Sequence, residues 1–228
     1  MTTKTILCLA NSVKRGNHCV AGIELLPGGA IGGWIRPIST GPEDAVLWQE
    51  QTYSNGGSAQ VLDIMNVPLI AAQPEGCQTE NWLLDPHQRW TRTGQLTAQH
   101  LRPFVQDPPT VFPNGWHTGP GWNDEIPNGI ADAHAGSLVL LDVPAVEIRV
   151  FASQYDNRLK VQARFEHRGE RYWLLITDPM IRAQYLPAGA GRYQLGPCFL
   201  CVSVGKPFPK KSGEICRYKL VAAVIRQQ

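Results

Sequence analysis

The sequence predicts a mainly β protein: two OB-like small β-barrels packed together, with one or two short helices. Three observations predict it. Short apolar runs separated by tight polar turns recur through residues 1–105 and again through residues 137–228. Strands do not alternate with long helical stretches, which disfavours a parallel α/β sheet. Between the halves, residues 106–136 are rich in proline and glycine, hold Trp116 and Trp122, and follow no hydrophobic period. Such a stretch is a functional loop or a linker, and its tryptophans argue against a free linker. Five-stranded barrels with a short helix between strands fit each half by size and order.

The elements follow in chain order. Residues 5–13 are apolar and β-compatible, and Lys14-Arg15-Gly16-Asn17 reads as a turn. Residues 18–25 form its hairpin partner. After Pro27-Gly28-Gly29, residues 30–39 make a third strand carrying Trp34, Ile35 and Ile38. Residues 41–58 are irregular. Residues 59–71 read as a fourth strand, and Pro68 inside it demands an edge or a bulge. Residues 77–84 are a polar segment leading into Trp82-Leu83-Leu84, and residues 97–105 fit one short helix capped from Thr97. In the second half, residues 137–151 are a long β-rich run interrupted by Pro144. Residues 160–167 alternate Val161, Ala163 and Phe165 against Lys160, Gln162, Arg164 and Glu166, a half-buried strand with one basic solvent side. Arg168-Gly169-Glu170 turns into residues 171–177. Asp178-Pro179 opens a short helix over residues 180–185, and residues 196–205 and 215–225 are two further strands. Val61-Leu62-Asp63 faintly echoes Leu140-Leu141-Asp142, as if in comparable strands.

Composition narrows the function classes. With 43% hydrophobic and 18% charged residues the chain is globular and not disordered. A net charge of +2 is too weak to signal a polyanion partner by bulk charge, although a local basic face is compatible with it. No run approaches the roughly 20 apolar residues that span a bilayer, and residues 6–10 are too short for a secretion signal. The expectation is a cytoplasmic protein with no membrane partner. The six cysteines then read as buried thiols. Cys198 and Cys201 have the spacing of a metal knuckle, but on a strand they point to opposite faces, so no metal is expected. No phosphate loop, dinucleotide fingerprint or zinc-protease motif occurs, and no cofactor is implied.

Several ordered motifs carry a resemblance. Cys8-Leu9-Ala10-Asn11-Ser12-Val13-Lys14 leads to His18-Cys19-Val20-Ala21-Gly22, then to Gly33-Trp34-Ile35-Arg36-Pro37 and Gln78-Thr79-Glu80-Asn81-Trp82. Trp122-Asn123-Asp124 and Leu174-Leu175-Ile176-Thr177-Asp178-Pro179 follow, and the set ends on Tyr218-Lys219-Leu220-Val221. In order and spacing the chain resembles the prokaryotic dual OB-containing domain family over nearly its whole length. The resemblance implies two OB barrels and binding of nucleic acid or a nucleotide, in the setting of bacterial conflict or defence systems with partner proteins. Glu125 stands where a basic residue is expected, which puts one phosphate contact in doubt.

The candidate binding residues are Lys14, Arg15, His18, Trp34, Arg36, Glu80, Asn81, Trp82, Trp122, Asn123 and Asp124. The Lys14–His18 turn offers cations beside a glycine, where a phosphate can approach; an ordinary hairpin tip is the alternative. Trp34 and Arg36 share a strand face and could stack a base and fix its phosphate; the alternative places Trp34 in a core and pairs Arg36 with an acid. Glu80 and Asn81 could read a base edge, or satisfy backbone in a turn. The connector, with one tryptophan as a plug, would wall a groove between the barrels. The leading expectation is a non-catalytic module that binds single-stranded nucleic acid or a nucleotide-like ligand in that groove. Two alternatives stand beside it: an enzyme using Asp63, Glu80, Asp124 or Asp178, and a protein-interaction subunit.

Overall fold

In the first half, the leading strands carry apolar residues on both sides and so present two buried faces. The strands are β1 (Thr2–Lys14), β2 (Asn17–Leu25), β3 (Ile31–Ile38), β4 (Asp63–Ala72), β5 (Asn81–Leu84) and β6 (Thr91–Gln95). The structure, a computed structural model, describes residues 1–14 and 16–227, and the side chains of Lys14 and Pro42 also lie outside the described set. β1 is long enough to serve two partners. Its start pairs with β4 and its remainder with β2. β3 pairs antiparallel with β2 and parallel with β5, and β5 pairs with β4. The ring β1-β2-β3-β5-β4 therefore closes on β1, with β6 appended to β4. Ile6, Cys8, Val20, Ile35, Met65, Val67, Leu69 and Trp90 fill it.

The second half comprises β7 (Glu125–Pro127), α1 (Asn128–Asp132), β8 (Leu138–Val143), β9 (Val146–Ala152), β10 (Leu159–His167), β11 (Glu170–Ile176), α2 (Pro179–Tyr185), β12 (Gly191–Leu195), β13 (Cys198–Val204), β14 (Phe208–Pro209) and β15 (Ile215–Arg226). β8 pairs with β13 and β9 with β10, so together they do what β1 does alone. β11 pairs parallel with β15, and β15 antiparallel with β13. Both halves thus follow one strand order, with the third and fifth strands of each ring parallel. β12 extends the sheet along the free side of β9. Asp178 caps α2 as the sequence predicts: one carboxylate oxygen accepts from the Met180 N–H at 2.8 Å, and the other from the Val224 N–H at 3.0 Å.

The barrels meet through the faces their cores do not use. Leu7 and Leu9 of β1, with Ala21 and Ile23 of β2, point away from the first core. They pack against Leu138 and Leu140 of β8, Phe199 and Cys201 of β13, and Ala223 and Ile225 of β15. The connector is also structural, since Val111, Phe112 and Ile126 are buried in the second core. Cys77, from the loop before β5, is buried there too. Among the described residues no helix is long and apolar enough to cross a membrane.

Several expectations need correction. Residues 97–105 form two 3-10 turns, Ala98–His100 and Arg102–Phe104, where one helix was expected. Pro103, lacking an N–H and crowding the preceding turn, interrupts α-helical bonding there. The fourth strand starts at Asp63, because residues 59–62 turn beforehand. Pro68 lies beside a register shift between Leu69 and Ala71. The run 137–151 is two strands broken at Pro144, and the connector contains β7 and α1. The faint repeat is not a structural one: Leu62 precedes the fourth strand of its ring, whereas Leu140 lies in the first of the other. β6 (Thr-Arg-Thr-Gly-Gln) and β12 (Gly-Arg-Tyr-Gln-Leu) lie outside the expected elements: β6 has no apolar side chain, and the alternation in β12 spans only Tyr193 and Leu195.

One buried charge is conspicuous. Lys219 is 1% exposed, and its Nζ donates to Asn114 Oδ1 at 2.8 Å beneath the connector. Burial pulls its pKa down from 10.5 to about 7, with nearby Asp124 acting weakly in the opposite direction. Between about pH 7 and 10.5 the unfolded chain binds a proton here that the folded chain does not, so this residue's contribution to stability rises with pH. Lys219→Met should therefore gain on the wild type most at pH 7, and the gain should shrink towards pH 10. Urea midpoints of both proteins across that range check it. At the barrel contact, Phe199→Ala should cost about 3–5 kcal/mol. The two halves should still unfold in one transition, seen together by tryptophan fluorescence and far-UV circular dichroism.

Candidate nucleic-acid interface

Trp34 and Arg36 do share a face of β3, but that face is turned towards the second barrel. Arg36 is 8% exposed, with Nη2 3.2 Å from Glu80 Oε1. Glu80 also accepts from the hydroxyl of Ser137 and from its N–H at 3.3 Å. Asn81 is fully buried, its amide donating to Gln78 Oε1 at 3.3 Å, while Gln78 donates across the seam to the Val204 carbonyl at 3.0 Å. These groups join the halves, and of the candidate residues among them Glu80 alone lines a surface opening. Trp34 is half-buried, with its indole N–H donating to Gln106 Oε1 at 2.8 Å. It lines a cleft of about 690 Å³ with Glu80 and the connector. Trp82 lies elsewhere, under Lys4 Nζ, which stands 4.5 Å from the ring centroid.

At the first hairpin, Arg15 and the Lys14 side chain lie outside the described residues. His18 sits beside Trp48 with ring centroids 5.5 Å apart, and its Nδ1 lies 2.8 Å from Asn11 Oδ1. Burial lowers its pKa.

The connector residues divide by role. Asp124 braces its loop: it accepts the Thr118 N–H at 2.8 Å and the Thr118 hydroxyl. Burial raises its pKa. Asn123 takes φ 51°, accepts from the Gly115 N–H at 2.9 Å, and donates to the Arg171 carbonyl at 3.1 Å. Glu125 is buried and held by Lys210 Nζ at 2.7 Å, so it is a structural group. These bonds project Trp122 onto the surface, 36% exposed and stacked on His117 at 4.3 Å. Trp116 is the more buried of the two connector tryptophans. Backbone bonds between Trp122 and Trp173 fasten the loop to β11.

That fastening completes a surface to which Trp122 alone of the sequence candidates contributes. On the outer face of the second barrel, strand pairing aligns Arg192 and Gln194 of β12 with Arg149 and Glu147 of β9. Gln162 and Arg164 of β10 lie next, and Trp173 and Arg171 of β11 after them. Phe151 and Lys160 extend the rows at one end. Arg164 lies 4.1 Å over the Trp173 ring, Arg149 4.6 Å over Phe151, and Arg171 5.4 Å over Trp122. Arg149, Lys160, Arg164, Arg171 and Arg192 face only Glu147 and Glu166 on these strands. Glu147 is shared, 3.5 Å from Arg164 and 3.9 Å from Arg192. Partial burial, and after it the positive charge of Arg149, lowers the Arg164 pKa. A trough of about 420 Å³ runs over Glu147, Arg164, Trp173 and Arg192. Planar guanidinium groups over rings, with cations in excess, can stack bases and hold phosphates. The sequence did carry the signal, in the basic alternation of residues 160–167.

The four candidate catalytic carboxylates do not converge. Asp63 is buried against Tyr53 and Arg92, Asp124 braces its loop, Asp178 caps α2, and Glu80 alone of the four lines the cleft. Among the described residues no cluster could hold a metal ion. Cys198 faces the second core and Cys201 the barrel contact, as opposite faces of one strand require. Burial raises their pKa values to about 11 and about 12.

No curated protein and no solved structure matches the chain. A family model, the dual OB-containing domain, matches residues 4–224. Two closed rings of shared strand order and a match spanning almost every residue lead to one assignment: the chain belongs to the dual OB-containing domain family.

Proposed function

We propose that this protein is a non-catalytic module that binds single-stranded nucleic acid across the outer face of β12-β9-β10-β11, with Trp122 and His117 extending it. The observation that carries the reading is the row of arginine-over-aromatic pairs on an exposed sheet. OB-containing domains in general serve as nucleic-acid or oligonucleotide binders. The corresponding outer face of the first barrel is apolar and covered by the second, so it offers a strand no such surface. Aromatic rings tolerate any base, and exposed cations follow the backbone, which favours binding without strong sequence preference. Action in the bacterial cytoplasm, beside partner proteins of a conflict system, belongs to this proposal and draws on family resemblance.

Fluorescence anisotropy with short labelled DNA and RNA single strands tests it. The wild type should bind at low salt, with affinity falling linearly in log salt concentration. Trp173→Ala should weaken binding about fivefold to a hundredfold. Arg149→Ala should weaken all sequences alike and reduce the salt slope by about one. Trp34→Ala, which changes a different surface, should leave strand affinity unchanged. Absence of binding at low salt, or indifference to Trp173→Ala and Arg149→Ala combined, would overturn the assignment.

A further inference from the structure

The cleft between the barrels is a second, chemically different site. It opens between Gly33 and Trp34 of β3, the Thr79-Glu80 segment, and the connector from Gln106 to Phe112. At about 690 Å³ it falls within the size range of small-molecule sites. Three features define what fits. Trp34 forms one wall, and its ring is held in place because Gln106 Oε1 accepts both its indole N–H and the Leu140 N–H. Phe112 and His134, edge to face at 5.7 Å, contribute another aromatic surface. Glu80, 7% exposed, is fixed by Ser137 and Arg36, and three donors leave its carboxylate one unused acceptor position.

The cleft lacks the excess of cations found on the outer face. Among the described residues lining the cleft there is no lysine or arginine, whereas Glu80 and Asp107 both contribute carboxylates. The cations nearest these carboxylates are already committed to them, Arg36 to Glu80 and Arg168 to Asp107, so a phosphate there would find no lining cation of its own. A planar ring with an N–H donor would meet an indole wall and an oriented acceptor.

We propose that the inter-barrel cleft binds an uncharged nucleobase or nucleoside, its ring against Trp34 and an N–H donor directed to Glu80, and that it discriminates against the phosphorylated form. This site is independent of strand binding on the outer face. An occupant would touch both barrels at once and so stabilise their contact.

Isothermal titration and thermal unfolding of the full chain test it, using adenosine, guanosine, cytidine and uridine with their 5′-monophosphates. At least one nucleoside should bind and raise the melting temperature, and its monophosphate should bind at least tenfold more weakly. Gly33→Leu is the blocking variant. Gly33 lines the cleft, and a Cβ there meets nothing within 4 Å, so the fold should tolerate the added side chain. It should abolish nucleoside binding and leave strand affinity unchanged, which separates failure of this site from failure of the outer-face assignment. Glu80→Gln should also weaken nucleoside binding, with folding followed by circular dichroism because it disturbs the Arg36 pair. No nucleoside binding at millimolar concentration, equal or tighter monophosphate binding, or wild-type affinity in folded Gly33→Leu would each overturn the proposal.

Discussion

The packing of β1 and β2 of the first barrel against β8, β13 and β15 of the second is the constraint on which the remaining features depend. A small barrel has an inside and an outside, and a strand whose residues are apolar on both sides must find something to cover the outside. β1 carries Ile6 and Cys8 inward and Leu7 and Leu9 outward, all fully buried. The second barrel supplies the cover, with its own doubly apolar strands β8 and β13. Such a contact resembles a domain core more than a transient interface, so the two barrels behave as one unit.

The seam then determines where polar groups can function. Arg36, Glu80 and Ser137 meet at its edge, with Gln78 reaching across to Val204. Across the same seam, the Cys77 N–H donates to Asp132, which is paired with Arg217 within the second half. Buried ion pairs of this kind add little net stability over apolar packing, because desolvation offsets attraction. Their contribution is geometric: an Arg36 without Glu80 would leave a buried charge unpaired, and a shifted register would separate them. The seam therefore specifies how the barrels sit, and its rim leaves the cleft at a defined place.

Much of this was legible in the sequence, for physical reasons. Strands with strict alternation, such as β10, were readable because one side had to be buried. Asp178 before a proline announced the start of α2. β6 was not readable, since it has no apolar side chain and pairs through its backbone, and β12 was not, since its alternation is only two apolar residues long. Trp34 and Arg36 were placed on one face correctly, but sequence cannot say what lies opposite a face. Here it is another barrel and an acid, which commits Arg36 to the seam and leaves Trp34 at the cleft beside it. The outer-face site was half visible: Lys160 and Arg164 showed as a basic side, while Arg149, Trp173 and Arg192 joined them only through pairing of strands distant in sequence.

The connector shows how these levels combine. Its composition suggested a functional loop or a linker, with the tryptophans against a free one, and it performs three jobs at three depths. Val111, Phe112 and Ile126 fill the second core, Gln106 orients Trp34 at the cleft, and Trp122 is presented on the outer face. Asn123 and Asp124 provide the loop bonds that make the last placement possible. A ligand at the cleft and one on the outer face would thus touch the same segment, anchored between them in an apolar core. Coupling between two sites requires an element whose state both can bias. In this fold the connector is the segment that reaches both, so any communication between a strand on the second barrel and a small molecule at the seam has a physical route through it.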